Sequence, residues 1–166
     1  MSRLAAAVLP AALALSLAVL PATALAATVS EGDAVPERTL NDQHGESVEI
    51  PGEARVLLKT VEMAPANVAN AVLGAMSAEE RAASGVLYIA DTHAMPPHVL
   101  QNVVLPRMQG RDYRTAVTSA PGDAGFMPHR AEHVTVVFLD AEGTVTGIEF
   151  ADSEPALREL LEAAAD

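Results

Sequence analysis

Two of the five histidines in this sequence are spaced so that they could share a metal ion. His129 and His133 are four residues apart, with Met127 and Glu132 close by. A helix would place both imidazoles on one face, which is a spacing typical of zinc or copper ligands. The prolines and glycines around them favour a loop, in which this spacing has no geometric meaning. The pair is therefore open to two interpretations: metal ligands, or solvated side chains of a loop.

A second group consists of His93, Met95 and His98, which follow an apolar run that reads as a buried strand. Loops of this kind lie at the carboxyl edge of a sheet, where α/β proteins bind ligands. Imidazole and thioether together suit copper better than zinc or calcium. Asp91 lies next to this group and could form an acid–base pair with His93, although a helix-capping aspartate is the commoner explanation.

The composition excludes several classes of function. The chain contains no cysteine, so no thiol can act as a nucleophile or redox group. It has no glycine-rich phosphate loop and no nucleophile-elbow motif. Its formal net charge is −12 and Lys59 is its one lysine. Because nucleic acids and anionic lipids are bound by basic surfaces, neither is an expected partner.

The first 26 residues have the pattern of a secretory signal peptide. Arg3 precedes a long apolar run, and Ala24, Leu25 and Ala26 form an A-x-A end. An uncleaved membrane anchor is the alternative, since the run is long enough to cross a bilayer. We predict export to the periplasm or secretion, no membrane span after signal cleavage, and one domain over residues 27–166.

The remaining chain alternates between strand and helix patterns. This order predicts an α/β fold with a central mixed sheet flanked by helices and an N-terminal β-hairpin. Pro65 is placed in the first turn of the first helix, and Pro106 is expected to kink the second. The predicted strands are Arg38 to Leu40, Ser47 to Ile50, Arg55 to Val61, Gly85 to Asp91, Asp112 to Thr118, Val134 to Leu139 and Thr144 to Phe150.

Two motifs add to this order. The first, G-x-x-x-P-x-x-x-L-x-D-x-x-G, is at Gly32, Pro36, Leu40, Asp42 and Gly45, and the second, F-L-D-x-x-G, is at Phe138, Leu139, Asp140 and Gly143. Together they resemble the thioredoxin-like fold of exported thiol-disulfide proteins and peroxiredoxins. The resemblance covers most of residues 31–166.

The resemblance also indicates what this chain lacks. It places the redox pair of the family near Pro65 and Val68, and the cis-proline of the family at Val134, so neither feature is present. A non-proline cis bond is costly, and we expect an ordinary trans bond before Val134. The degenerate active-site positions are then Glu62, Met63, Ala64, Pro65 and Val134.

In the resembled fold, the loops that follow residues 61 and 91 and precede residue 134 lie at one end of the sheet. Glu62, Met63, His93 and His133 are therefore expected to converge. The resemblance implies a scaffold retained for binding a protein partner or a small ligand, with no catalytic residues and with thiol-disulfide oxidoreductase and peroxidase activity excluded. The alternative is a periplasmic copper- or zinc-binding protein whose ligands come from His93, His98, His129, His133 and Met63.

Overall fold

The computed structural model describes residues 28–165. The predicted signal peptide lies outside them, and the division at residue 26 remains a prediction. Within residues 28–165, no helix has the length and apolar character needed to cross a membrane. The strands are β1 (Arg38–Asp42), β2 (Ser47–Ile50), β3 (Val56–Thr60), β4 (Val86–Ala90), β5 (Thr115–Val117), β6 (Val134–Leu139) and β7 (Val145–Ala151). The helices are α1 (Met63–Ala75), α2 (Ala78–Ser84), α3 (Pro97–Val99), α4 (Leu105–Gln109) and α5 (Glu154–Ala163).

The seven strands form one mixed sheet in the order β2-β1-β5-β4-β3-β6-β7. Strands β3, β4 and β5 are parallel, whereas β6 and β7 add antiparallel strands on one side and β1 and β2 on the other. The predicted α/β class, mixed sheet and N-terminal hairpin are confirmed. All five residues of the central strand β3 are buried, because strands pair with it on both sides and chain covers both its faces.

Local sequence signals set several element boundaries. The Asp42 carboxylate accepts hydrogen bonds from the backbone N–H groups of His44 (2.8 Å) and Glu46 (2.9 Å), which closes the turn between β1 and β2. At α2, Ser77 and Glu80 form a reciprocal capping box, in which each side chain accepts a hydrogen bond from the other residue's backbone N–H. Gly85 then ends the helix in the left-handed conformation.

The chain from Pro97 to Gln109 is one helical stretch whose middle, Leu100–Val104, is a π-helix. Pro106 has no N–H group, and in a regular α-helix its ring would collide with the carbonyl of Asn102. The stretch widens just before this proline, and Leu105 N–H bonds to the Leu100 carbonyl five residues back. The disturbance expected at Pro106 therefore takes the form of a π segment.

The two faces of the sheet are covered in different ways. Buried residues of α1, α4 and α5 pack on one face, against Val56, Leu58 and Tyr88 among others. The other face carries Leu57 and Ile89 and is covered by Phe126, Met127 and further residues from chain without regular secondary structure. We call residues 119–133 the covering loop. This loop, and not a helix, packs on the second face of the sheet.

Two glycines are a matched pair for testing the helix ends. Gly85 has φ +61°, and a Cβ there would lie 3.0 Å from Arg55 Nε, so Gly85→Ala should lower the free energy of unfolding by about 1–2 kcal/mol. Gly74, within α1, has open space around its Cα, and Gly74→Ala should raise it by about 0.5–1 kcal/mol. Urea denaturation measures both changes, and equal effects of the two substitutions would contradict this account.

Candidate functional site

A cleft of about 210 Å³ opens where β3 and β4 end, between the start of α1 and the 97–109 helical stretch. This is the carboxyl edge of the parallel strands, the usual ligand-binding edge of an α/β sheet. Its lining combines methionines and other apolar groups with charged side chains of both signs. The lining residues are Thr60, Val61, Glu62, Met63, Ala66, Asn67, Asn70, Tyr88, Ala90, Asp91, Thr92, Met95, Val104, Arg107, Met108 and Arg111.

The hydroxyl groups in and beside the cleft have partners within the protein. Thr60 Oγ1 and Tyr88 OH are 2.7 Å apart, and Tyr113 OH donates to Asn70 Oδ1 at 3.0 Å. Burial raises the pKa of Tyr88 to about 12, which outweighs the opposing hydrogen bond to Thr60. The Tyr88 phenol therefore stays protonated and neutral at ordinary pH.

Two arginines line the cleft, the exposed Arg107 and the partly buried Arg111. Within residues 28–165, neither Arg107 nor Arg111 forms a salt bridge or a side-chain hydrogen bond. Nη1 of Arg111 is shielded from solvent as well, while its guanidinium carbon lies 5.8 Å from the centre of the Tyr113 ring. A shielded donor without a partner costs about 1–3 kcal/mol, which a ligand that drew this guanidinium into the cleft would recover.

Glu62 is the acidic group at the opposite wall of the cleft, at the N-cap position of α1. Its Oε1 lies 3.2 Å from His129 Nε2, in the covering loop. Its Oε2 is shielded from solvent and has no hydrogen-bond partner within residues 28–165. Two residues that line the cleft thus each have one shielded polar atom without a partner, and Arg38 and Thr115 outside the cleft have one each as well.

The remaining positions predicted at the start of α1 differ in exposure. Met63 is 64% exposed and lines the cleft, and Ala64 is exposed. Pro65 is buried within the first turn of α1, where it was expected. Val134 is fully buried at the start of β6.

Asp91 forms a hydrogen-bonded network at the edge of the cleft. Its Oδ1 lies 2.7 Å from His93 Nδ1 and accepts a bond from Thr118 Oγ1 at 2.8 Å. Burial raises the pKa of Asp91, but the bonds from His93 and Thr118 and the attraction of His93 and Lys59 outweigh it, so the pKa is lowered. Asp91 is thus paired with His93 and does not cap a helix.

Lys59 is the buried cation of the core, with 4% of its surface exposed. Its Nζ donates to the backbone carbonyls of Met127 at 2.8 Å and Ala124 at 3.0 Å. Burial lowers the pKa of Lys59, and the attraction of Asp91 opposes that shift. The lysine therefore fastens the central strand to the covering loop.

The four candidate histidines lie in different settings, and none of them lines the cleft. His93 pairs with Asp91 and His129 with Glu62, while His133 Nδ1 lies 2.7 Å from the Ala131 carbonyl and His98 is exposed. Among the described residues, no three His, Asp or Glu side chains are grouped as a metal site would require. Binding of copper or zinc, with or without Met63, remains a prediction from the sequence.

Solved structures with the same architecture come from thiol-redox proteins. Peroxidoxin BcpB from Mycobacterium tuberculosis is 14% identical with a TM-score of 0.57, covering 81% of this chain and 95% of that one. The thioredoxin domain of a thiol-disulfide oxidoreductase from Bacteroides vulgatus is 13% identical with a TM-score of 0.53, covering 84% and 100%. The chain has a thioredoxin-like fold. Identities this low establish the fold alone.

Sequence comparisons find no counterpart of this thioredoxin-like chain. No protein-family model matches it, and the search of curated proteins found no match. The resemblance deduced from the residues is confirmed at the level of fold. The assignment of Glu62 to Pro65 and of Val134 to the redox positions remains a prediction.

The backbone before β6 agrees with the expectation for a chain without the family's proline. The bond between His133 and Val134 is trans, since the cis bond among residues 28–165 joins Ile50 and Pro51. Glu132 has a positive φ of 63°, unlike any other non-glycine residue of the described chain. Strained backbone of this kind tends to occur at functional sites, and here it lies in the covering loop.

Four residues in or near the cleft were not identified from the sequence: Lys59, Arg107, Arg111 and Thr118. Lys59 was visible as a charge inside an otherwise apolar run, which is the usual sign of a buried polar contact. Arg107 and Arg111 are four residues apart in an acidic chain, which was a weak signal. Nothing local marks Thr118, whose partner Asp91 is 27 residues away.

Asp91→Asn should make the free energy of unfolding vary less with pH in the acid range. Because the pKa of Asp91 in the folded protein lies below its ordinary value of 3.8, its contribution is complete above that value and is lost as the pH falls through the lowered one. We expect the variant to lose about 1–3 kcal/mol near neutral pH and to converge with the wild type in acid. Urea denaturation across pH measures this, with the exposed Asp152→Asn as control. A constant difference at every pH would contradict it.

Lys59→Met should loosen the covering loop. The substitution keeps the length and removes both hydrogen bonds to the loop carbonyls, so we expect a loss of about 1–3 kcal/mol and faster hydrogen exchange in residues 119–133. Leu58→Met, in the same strand, removes no polar contact and should cost less than about 1.5 kcal/mol. If the two variants exchange alike in the loop, Lys59 does not fasten it.

Proposed function

We propose that this protein is an exported, redox-inactive thioredoxin-like protein that binds a partner in the cleft at the ends of β3 and β4. The proposal is carried by two residues that line the cleft. Arg111 and Glu62 each have a shielded polar atom without a hydrogen-bond partner within residues 28–165. Unsatisfied groups of this kind are rare in native proteins and ask for an explanation, and a ligand supplies one.

The composition of the cleft supports a binding role. Met63 is exposed at its edge, and Met95, Val104 and Met108 add apolar surface beside the charged groups. Apolar lining with a few well-placed polar groups is typical of binding sites for small molecules. Among residues 28–165, Met63 and Val103 are the large apolar side chains that are exposed, and of these two Met63 lines the cleft.

Thiol chemistry is unavailable to this chain, whatever its relatives in fold do. Without cysteine it can form no thiolate, disulfide or sulfenic acid. Fold alone does not fix function, and a scaffold can keep a binding edge after the reactive groups are gone. The signal-like residues 1–26 support the export part of the proposal.

A fragment screen followed by NMR tests the binding role. We expect the amide shifts caused by small polar-apolar fragments to cluster at residues that line the cleft. Glu62→Lys should reduce binding and change stability by less than about 1 kcal/mol, because the half-exposed pair with His129 contributes little.

The matched control is Glu149→Lys, which reverses an exposed carboxylate on β7, away from the cleft. It should leave fragment binding unchanged. Shifts confined to residues outside the cleft lining, or the same loss of binding in both variants, would count against the cleft.

A further inference from the structure

The unpaired groups of the cleft also indicate the chemistry of its ligand. Resting on the binding role proposed above, we propose that the cleft binds a free α-amino acid with an apolar side chain. The carboxylate is held by Arg111 and Arg107, and the ammonium by Glu62. The argument rests on charge, on unpaired atoms and on size.

The charges of the cleft favour a zwitterion. Four charged side chains line it, two arginines (Arg107, Arg111) and two carboxylates (Glu62, Asp91), so their formal charges cancel. The whole chain, in contrast, has 22 acidic residues against 10 basic ones. Neither Arg107 nor Arg111 has a carboxylate partner within residues 28–165, so a ligand carboxylate would meet two cationic groups there.

The unpaired atoms give the ligand its orientation. Arg111 offers a donor at Nη1, and a guanidinium binds a carboxylate through two parallel hydrogen bonds. Glu62 offers an acceptor at Oε2, which suits an ammonium group. The hydroxyl groups of Thr60 and Tyr88 are already paired with each other, so they compete little for the ligand.

A ligand of single charge fits less well. A simple carboxylate would satisfy the arginines but leave Glu62 Oε2 unpaired, and a simple amine would satisfy Glu62 but leave Arg111 Nη1 unpaired. Asp91 already has His93 and Thr118 as hydrogen-bond partners, so it needs no donor from the ligand. Its negative charge repels a ligand carboxylate. A zwitterion meets both needs at once.

Size and lining select the rest of the ligand. The cleft holds about 210 Å³, below the roughly 300–1,000 Å³ of sites for drug-sized molecules, so a single amino acid is the right scale. Met63, Met95, Val104 and Met108 provide the apolar wall. Methionine side chains adjust to the shape of an apolar group, which favours leucine or methionine over a charged amino acid.

Calorimetry on the purified protein tests the proposal with L-leucine and L-methionine as probes. Two compounds each lack one charged group of leucine: 4-methylpentanoate lacks the ammonium, and isopentylamine lacks the carboxylate. We expect the amino acids to bind and each half-ligand to bind at least about tenfold more weakly. Arg111→Gln should weaken leucine binding about tenfold or more and leave isopentylamine unchanged, whereas Glu62→Gln should leave 4-methylpentanoate unchanged.

Arg158→Gln, at an exposed arginine of α5 outside the cleft, is the control and should bind leucine as the wild type does. Should Arg111→Gln fail to fold, Arg107→Gln and Arg111→Lys test the same contact. Absence of amino-acid binding, or equal binding by Arg111→Gln, overturns the inference. If leucine and methionine do not bind but other fragments still shift the cleft residues, the binding role survives and this inference fails. If no probe shifts the cleft residues, both fail.

Discussion

The ammonium of Lys59 lies inside the protein, beneath the covering loop that packs on one face of the sheet. A helix satisfies its own backbone carbonyls, whereas a covering loop must find donors elsewhere. Lys59 supplies them to Ala124 and Met127 from the middle of the central strand. The same loop places Phe126 and Met127 in the core and brings His129 to Glu62. The covering of the second sheet face, and the position of His129 beside Glu62, therefore depend on this contact.

Asp91 connects the buried Lys59 to the cleft. Its carboxylate attracts Lys59, binds His93 and Thr118, and lines the cleft at the end of β4. Thr92 and Thr118 exchange two further hydrogen bonds, which join the chain after β4 to the chain after β5. Buried polar networks of this kind fix one arrangement when every member is satisfied. The edge of the sheet is thus held by paired groups on the side of Asp91, while Arg111 Nη1 and Glu62 Oε2 have no hydrogen-bond partner within residues 28–165.

The shape of the helical wall of the cleft is set by Pro106. Pro106 cannot donate a hydrogen bond, and the π segment before it shifts the register of the stretch that carries Val104, Arg107 and Met108. On the opposite wall, α1 begins at Met63 and leaves that side chain exposed. The carboxyl edge of the sheet therefore presents arginine, glutamate and methionine side chains, and no thiol.

Much of the fold was determined by local sequence. Asp42 and Gly45 closed the first hairpin, Ser77 and Glu80 capped α2, and apolar runs marked β3, β4 and β6, because these signals act within a few residues. The absence of cysteine excluded thiol chemistry without any structure. Tertiary structure decided the rest. Glu62 meets His129, and Lys59 meets Met127 68 residues away, through contacts that no local pattern encodes. The cleft's unpaired charges came together only when the sheet brought the ends of β3 and β4 to one edge, because burial and pairing are properties of the packed chain.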